Sequence, residues 1–355
     1  MRSKWMSLRR CGAWSDPTYV FWDSDSQSPF DRGPTNGVRC AKLSAPPAPA
    51  LTSPITTLER DYSKERPVSD ELFRIYASFY SYDAGDLAGE TESVDDSPPF
   101  WRRETVSYRA AYGGVRIPAF LFLPRNAAPP YQTVVYFPAS HALRARSTEG
   151  EIELRFLDFV VRSGRAVLYP IYEGTYQRRS KEAGEGPSER RDLKIKWAKD
   201  VRRSVDYLRS RKDVDPNRIA FYGLSLGAIE GPVFLALEDR FKTGVLLAGG
   251  FRDRKAAPEI EPLNFAPRVK MPVLLLGGRQ DFMHPYETAQ IPMFASTTAA
   301  TVVASIGSKK TENAGSAISP VRPAAIAQFM AGTRCHTATS ATTWLATTSP
   351  TKKCA

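Results

Sequence analysis

A serine flanked by glycines, in the sequence GLSLG at residues 223–227, is the group in this chain best suited to covalent chemistry. It follows an apolar run at 218–222 and precedes a helix-like segment at 228–237. A serine on a sharp strand-to-helix turn holds its hydroxyl clear of the sheet, and small glycines let the neighbouring backbone pass closely. The pattern predicts that Ser225 attacks a carbonyl carbon and that the Leu226 amide stabilises the developing oxyanion.

A carboxylate that could support this serine occurs further along the chain. Serine nucleophiles on a strand-to-helix turn of this kind act with an acid and a histidine that follow in the chain order serine, acid, histidine. Asp281 follows an apolar, strand-like run at residues 273–276 that ends in a glycine pair. Since its loop should emerge at the same sheet edge as Ser225, we predict that Asp281 is the acid; the alternative is a turn-forming aspartate on the surface.

The histidine that would take the serine proton must be one of three. His336 alone has the expected position after Asp281, so we predict His336 as the base. No strand-like run precedes it and no apolar helix follows it, which leaves open that the base is missing. His284 lies too close to Asp281 to be oriented by it and also reach Ser225. His141 precedes the nucleophile, and we expect it to line the site or lie at the surface.

A second oxyanion donor should come from the loop after the first buried parallel strand, residues 137–141. We predict the backbone amide of Ala139 for this role, with Ser140 as the other candidate donor and as a pocket residue. Three residues that follow the next strand could also line the pocket: Tyr172, Glu173 and Tyr176. A surface loop with two half-buried tyrosines explains that segment equally well.

The elements needed to position these groups follow from the hydrophobic pattern. Residues 69–80 have an N-cap serine and apolar positions at helical spacing. Two alternating segments, 104–111 and 115–123, flank Gly113-Gly114 and predict a β-hairpin. Short apolar strands then alternate with helices, among them one predicted at 151–161 and one at about 189–210, and a proline-rich loop is expected at 257–267. This alternation predicts a mostly parallel central sheet opened by that antiparallel hairpin, with helices on both faces. This is an α/β class protein.

The chain divides by composition into three parts. Residues 1–66 are rich in Pro, Ser, Asp and Arg and predict a poorly ordered leader. Residues 67–294 carry the alternating elements. Residues 295–355 form an atypical segment in which more than half of the residues are Ala, Thr or Ser, and we expect it to be disordered in part.

Composition narrows the partners and the compartment. The net charge of +11 would suit an acidic partner, but basic residues alternate with acidic ones, as at 190–200, which favours a solvated helix face over a nucleic-acid site. The four cysteines lack metal-ligand spacing and lie near the chain ends. No apolar run is long enough to span a bilayer and no secretory signal is visible. We expect a cytoplasmic protein that binds neither nucleic acid nor membrane; its oligomeric state stays open.

From about residue 66 to residue 294 the chain resembles the dienelactone-hydrolase-like serine hydrolases of the α/β-hydrolase superfamily. It is also similar to the hydrolase-like domain that follows kinase domains in some bacterial proteins. The segments that carry the resemblance are PFWRRE at 99–104, AYGG at 111–114, FLFLP at 120–124, PPYQTVVYFP at 129–138, SGRAVLYP at 163–170, YEGTY at 172–176, GLSLG at 223–227 and GRQDFMHP at 278–285.

The resemblance implies the α/β-hydrolase fold and hydrolysis of a small carboxylic ester or lactone through an acyl-enzyme on Ser225. No cofactor and no metal are expected, because acyl transfer needs only a nucleophile, a base and oxyanion donors. Two alternatives stay open. One is a binding or regulatory domain that lacks the base, and the other is a peptidase of the prolyl-oligopeptidase kind. The peptidase ranks last, because the leader cannot supply the large gating domain of such enzymes.

The resemblance ends after residue 294. In such hydrolases a last strand ends in a Gly-Gly-His-like motif and a closing helix follows, and residues 295–355 show neither. We hypothesise that the coding frame or the gene end differs here from that of relatives. Translating the other frames of the source DNA tests this, since no Gly-Gly-His-like segment in any frame would contradict it.

Overall fold

The computed structural model of the protein describes residues 60–179, 186–279, 281 and 283–297, together with residue 45 and strand segments at 7–9, 25–27 and 300–306. These residues fall into two units. The smaller unit contains β1 (Ser7–Arg9) and β2 (Asp25–Gln27), which pair antiparallel. The larger unit contains the described residues from 60 to 306.

The larger unit alternates strands and helices along the chain. Its strands are β3 (Glu90–Asp95), β4 (Trp101–Arg109), β5 (Arg116–Pro124), β6 (Tyr131–Phe137), β7 (Ala166–Pro170), β8 (Val214–Leu224), β9 (Thr243–Leu247), β10 (Val273–Gly278) and β11 (Ala300–Ile306). Its α-helices are α1 (Asp70–Ser78), α2 (Asp158–Arg162), α3 (Pro187–Ser210), α4 (Leu226–Leu237), α5 (Pro262–Phe265) and α6 (Ile291–Ser296).

The nine strands form one sheet in the order β11-β10-β9-β8-β6-β7-β5-β4-β3. In the part of the sheet from β11 to β7, which includes β6, neighbouring strands run parallel. The three pairs at the other end, β7 with β5, β5 with β4 and β4 with β3, are antiparallel. The carboxyl ends of β6, β8, β9 and β10 therefore lie at the same edge, which is where ligands of open parallel sheets bind.

The predicted hairpin is confirmed as β4 and β5. Arg109 pairs with Arg116 at its closed end. The turn contains Gly113 and Gly114 at φ values of 60° and 63°. Residues with side chains rarely adopt this conformation, so the glycine pair fixes the turn and with it the register of the two strands.

Helices cover both faces of the sheet, as the sequence predicts. On one face α3 and α4 bury Val201, Val205 and Phe234 against Phe137 and Phe221. On the other face the short helix α2 packs Val160 and Val161 with a row of buried tyrosines from the strands: Tyr136, Tyr169 and Tyr222. A parallel sheet buried on both sides explains why its strands are almost wholly apolar. The predicted fold class is confirmed.

Three segments differ from the sequence expectations. Residues 151–161 form a 3₁₀ turn and the short α2 rather than one helix. Residues 257–267, expected as a loop, contain the short α5 between two 3₁₀ turns, because prolines set the backbone for a first helical turn. Strand β11 extends the sheet with residues from the atypical segment.

The residues described just before α1 are packed within the larger unit. Tyr62 packs against Phe251 with ring centroids 5.0 Å apart, and its hydroxyl donates to the Arg252 carbonyl at 2.7 Å. The predicted N-cap of α1 is confirmed, since the Ser69 hydroxyl accepts from the Leu72 amide at 3.3 Å. Such a bond satisfies one of the free amides of the first helical turn. Among the described residues, no helix is both long and apolar enough to cross a bilayer.

Candidate active site

Ser225 occupies a strained turn between β8 and α4. Its φ of 49° and ψ of −100° lie outside the regions that side-chain-bearing residues prefer. The Ser225 amide donates to the Leu247 carbonyl of β9 at 2.8 Å, which ties the turn to the neighbouring strand. Strain of this kind persists only where the surroundings enforce it, and it concentrates at functional sites.

The two glycines of the motif are required by close backbone contacts. A Cβ on Gly223 would lie 2.3 Å from the Gly227 carbonyl oxygen. A Cβ on Gly227 would lie 2.4 Å from the Phe137 carbonyl oxygen. Both distances are far below van der Waals contact, and both involve backbone that cannot move aside. The prediction that glycine lets neighbouring backbone pass at these positions is confirmed.

The start of α4 presents a backbone amide beside the serine. Ser225 is the residue before the helix, and its carbonyl accepts from the amides of Ala228 and Ile229. In the described part of the chain, the Leu226 amide has no hydrogen-bond acceptor. An unpaired amide at a helix N-terminus attracts negative charge. Leu226 thus has the local geometry that its predicted role requires.

The loop after β6 lies against the same turn. The Gly227 amide donates to the Pro138 carbonyl at 3.3 Å. The Ala139 amide, predicted as the second oxyanion donor, instead donates to Glu153 Oε2 at 3.2 Å. The next amide, that of Ser140, has no acceptor among residues 60–179, 186–279 and 283–297. In this arrangement the Ser140 amide is therefore the free donor of the pair.

Glu153 links this loop to a buried tyrosine and to a histidine. Its side chain is 7% exposed, and Oε1 lies 2.9 Å from His141 Nδ1. Oε2 accepts from the Tyr136 hydroxyl as well as from Ala139. The other ring nitrogen of His141, Nε2, lies 2.9 Å from the Glu151 carbonyl. No sequence pattern points to Glu153, because its partners lie far from it along the chain.

His141 is held as a hydrogen-bond donor at both nitrogens. The Glu153 carboxylate raises the pKa of His141, burial opposes the shift, and the Glu151 carbonyl adds to it. With both ring nitrogens facing acceptor oxygens, neither is free to take a proton from Ser225. The placement agrees with the expected role at the edge of the site rather than that of the base.

Replacing Glu153 with glutamine is expected to lower the pKa of His141 toward 6.5, its ordinary value, because the carboxylate makes the largest contribution to the shift. NMR titration of the His141 ring protons, assigned with a His141→Asn variant, measures this. A pKa that stays unchanged in the Glu153 variant would contradict the pairing.

The same pair gives a pH dependence of stability. Because the pKa of His141 is raised in the folded state, its stabilising contribution is complete below the unfolded-state pKa, near 6.5, and is lost as the pH rises through the folded-state pKa. We therefore expect the urea midpoints of the wild type and His141→Asn to differ more at about pH 5.5 than at about pH 8.5. Equal differences at both pH values would contradict this.

Asp281 lies on the loop that leaves the carboxyl end of β10. Its Oδ1 accepts from the amides of Met283 and His284 at 2.8 and 2.9 Å. Burial alone would raise the pKa of Asp281, but the nearby His284 ring together with the His284 and Met283 amides holds it below its ordinary value, so the carboxylate is ionised at neutral pH. Oδ2 lies 3.9 Å from His284 Nδ1, which is too far for a hydrogen bond.

In the described part of the chain, no hydrogen bond joins His284 to Ser225. His284 is 7% exposed. It packs against Gly250, where a Cβ added to the glycine would lie 3.1 Å from the Cβ of His284. His336, predicted as the base, lies outside the described residues. Within the ranges that the structure describes, no group of three or more His, Cys, Asp or Glu side chains could hold a metal ion.

The tyrosines predicted to line the pocket are buried in the two cores. Tyr172 stacks on Phe137 at a centroid distance of 4.1 Å, and its hydroxyl donates to the Tyr136 carbonyl. Tyr176 exchanges a hydrogen bond of 2.7 Å with the Tyr169 hydroxyl. Both residues are fully buried, so neither ring has a surface that a substrate could contact in this arrangement.

Glu173, which lies between these two tyrosines in the sequence, is held by a buried ion-pair cluster. The Glu173 amide donates to Asp200 Oδ2 at 3.1 Å, and Asp200 is fully buried. Arg178 lies 2.5 Å from the same carboxylate oxygen and 3.5 Å from Glu173 Oε2. Lys196 lies 3.6 Å from Glu173 Oε1. These contacts fix the loop after β7, which explains why its tyrosines are well packed.

Comparison with solved structures finds two acetyl xylan esterases of similar architecture. The enzyme from Paenibacillus sp. R4 aligns with a TM-score of 0.57 at 16% identity, covering 76% of this chain and 98% of that protein. Acetyl xylan esterase 1 from Thermoanaerobacterium sp. JW/SL YS485 aligns with a TM-score of 0.56 at 16% identity, covering 76% and 96%. No protein-family model and no curated protein matches the sequence. At this identity the likeness concerns the fold.

Proposed function

We propose that this chain, which has the α/β-hydrolase fold, is a serine-dependent hydrolase of carboxylic esters or lactones. The observation that carries the proposal is the conformation of Ser225, a non-glycine residue at a φ of 49° between β8 and α4. The fold places this turn at the sheet edge where ligands bind. The strain has no evident structural purpose, whereas a nucleophile needs its hydroxyl lifted off the sheet.

In the proposed reaction, Ser225 Oγ attacks the carbonyl carbon of the ester while a base takes the hydroxyl proton. The carbonyl oxygen becomes an oxyanion, held by the Leu226 amide and a second amide from the loop after β6. We assign the second donor to Ser140, because the Ala139 amide is engaged by Glu153. Ala139 becomes a donor only if that carboxylate moves away.

The tetrahedral intermediate then collapses. The carbon–oxygen bond to the leaving alcohol breaks, the base returns the proton to that oxygen, and an acyl-enzyme remains on Ser225. Water attacks the acyl-enzyme with the same base taking its proton, and the carboxylic acid leaves. Each step needs only groups of the protein and water.

We propose Asp281 as the acid of the triad. Its carboxylate is ionised at neutral pH, and Oδ2 has no hydrogen-bond donor among the described residues, so it can accept from a histidine N–H. His336 is the proposed base on its chain order. His284 is the competing base, since it is the histidine beside Asp281.

We propose that Ser140 and Glu173 contribute to the substrate pocket, since both belong to loops at the sheet edge where Ser225 lies. Tyr172 and Tyr176 support these loops from the cores, and a direct contact with substrate would need their rings to leave those positions. The substrate proposed for this pocket is a small ester or lactone.

A second candidate function is a hydrolase-like binding domain without turnover. The engagement of the Ala139 amide by Glu153 favours it, as does the absence of a histidine contact to Asp281 Oδ2 shorter than 3.9 Å among the described residues. A domain that keeps the fold and the pocket but lacks the base would bind esters and release them unchanged.

Labelling with a fluorophosphonate probe separates the two functions. A hydrolase with a working base is expected to form a covalent phosphonate on Ser225, which peptide mass spectrometry locates. Heat-denatured protein controls for non-specific labelling. A native protein that stays unlabelled and does not hydrolyse p-nitrophenyl acetate or butyrate would favour the binding domain.

A further inference from the structure

A pocket rich in positive charge lies at the end of the sheet opposite Ser225. Ala166, Thr133 and Ile219 are aligned across β7, β6 and β8. The residues just before two of them, Arg165 and Arg218, therefore come to the same amino-terminal end of the strands. Both line a pocket of about 280 Å³.

Arg165 forms the buried wall of this pocket. It is 9% exposed, and the Nη1 group donates to the Ser163 hydroxyl at 2.8 Å. Its Nε is buried without an acceptor, and in the described part of the chain the hydrogen bonds of this guanidinium come from Nη1 alone. Within the same ranges no carboxylate pairs with this guanidinium. Burial lowers the pKa of Arg165, with no acidic group opposing the shift.

A buried cation without a counter-ion destabilises a fold, because desolvation is not offset by a partner charge. A destabilising arrangement of this kind is typical of sites that are kept for function rather than for stability. The Nε and Nη2 edge of a guanidinium is the edge that matches two oxygens of a carboxylate or phosphate. Arg165 thus leaves this edge unpaired, and because its Nε is buried, the side chain must turn toward the pocket for an oxyanion to reach both nitrogens.

Two further cations surround the opening. Lys242 is exposed, lines the pocket and has no ion-pair partner among the described residues. Arg218 is also exposed and shares its charge with Asp215 at 3.4 Å. Arg165 and Lys242 therefore leave two positive charges uncompensated. A dianion would balance them, whereas a single carboxylate would leave one unpaired.

We propose that this pocket binds the phosphoryl group of a small phosphate ester, or phosphate itself, through Arg165, Lys242 and Arg218. A phosphate monoester has close to two negative charges at neutral pH and offers the paired oxygens that a guanidinium recognises. The volume of about 280 Å³ is at the lower end of small-molecule pockets. It fits a small phosphorylated metabolite.

This pocket is separate from the proposed active site. Ile219 lines the pocket. Ser225 follows the carboxyl end of the same strand, β8. Over that stretch a strand that rises by about 3.3 Å per residue extends on the order of 20 Å. The phosphate site does not depend on the proposed hydrolase function. It would hold equally in a chain that hydrolyses no ester.

Thermal unfolding of the full chain with inorganic phosphate tests the proposal. Phosphate is expected to raise the Tm of the wild type, by about 5 °C at one hundred times its Kd, whereas sodium chloride at matched ionic strength is not. Arg165→Met is expected to unfold at a higher temperature than the wild type without phosphate, because an unpaired buried charge is removed, and to lose the response to phosphate.

A surface variant keeps the test independent of changes in the core. Lys242→Gln is expected to weaken phosphate binding severalfold, measured by isothermal titration calorimetry. Lys212→Gln, an equally exposed lysine outside the pocket, should bind as the wild type does. The proposal is overturned if chloride acts as phosphate does, if Arg165→Met keeps the full response, or if the two lysine variants weaken binding equally.

Discussion

Ser225→Ala is expected to lower kcat/KM for p-nitrophenyl butyrate by about four to six orders of magnitude, because it removes the nucleophile and leaves only binding and oxyanion stabilisation. A continuous assay of p-nitrophenol release measures the loss. The fold should persist, since the Ser225 amide that donates to Leu247 is retained. Circular dichroism and thermal unfolding check that it does.

Ser210→Ala is a matched control, since this exposed serine ends α3 far from the turn. It should hydrolyse the ester at the wild-type rate. If the Ser225 variant keeps more than about one hundredth of the wild-type activity, the nucleophile has been assigned wrongly.

The same assay identifies the base. If His336→Ala lowers kcat/KM by orders of magnitude and His284→Ala does not, the triad is Ser225, Asp281 and His336. The opposite result assigns the base to His284, beside Asp281. If neither variant loses activity while Ser225→Ala does, the serine is activated without either histidine.

Gly227→Ala is expected to destabilise the fold by about 3 kcal/mol or more, because its Cβ would lie 2.4 Å from the Phe137 carbonyl oxygen. Backbone must shift to relieve this contact, and the shift would displace both the Ser225 turn and the loop after β6. We therefore expect loss of ester hydrolysis even at temperatures where the variant is folded. Urea unfolding followed by circular dichroism measures the stability.

Gly85→Ala is the control for the change from glycine to alanine itself. The nearest atom to its Cβ is an Asp83 carboxylate oxygen at 3.9 Å, so nothing must move. Its free energy of unfolding should equal the wild-type value or exceed it by up to about 1 kcal/mol, through the lower entropy of the unfolded chain. A Gly227 variant as stable as the Gly85 variant would show that the turn tolerates a side chain.

Local signals in the sequence predicted the parts of the fold that depend on neighbouring residues. The turn at Gly113-Gly114, the N-cap at Ser69 and the elbow at residues 223–227 each follow from a few adjacent residues. The prediction of a parallel sheet rested on continuous runs of apolar residues, because a sheet with one solvent-exposed face has strands that alternate between apolar and polar residues.

The parts that sequence reasoning missed depend on contacts between distant residues. Glu153 meets Ala139 and His141 because a loop folds back over the end of β6, and no spacing rule encodes that approach. Tyr172 was placed at the correct edge of the sheet. Its direction, into the core against Phe137, depends on the packing of α3 and could not be derived from the strand that precedes it.

The hydrogen bond from the Ser225 amide to Leu247 has a consequence for the order of folding during synthesis. The acceptor belongs to β9, so a nascent chain that has not yet emerged beyond residue 247 cannot hold the turn in its strained conformation. The turn therefore gains its full set of backbone contacts only once β9 has joined the sheet.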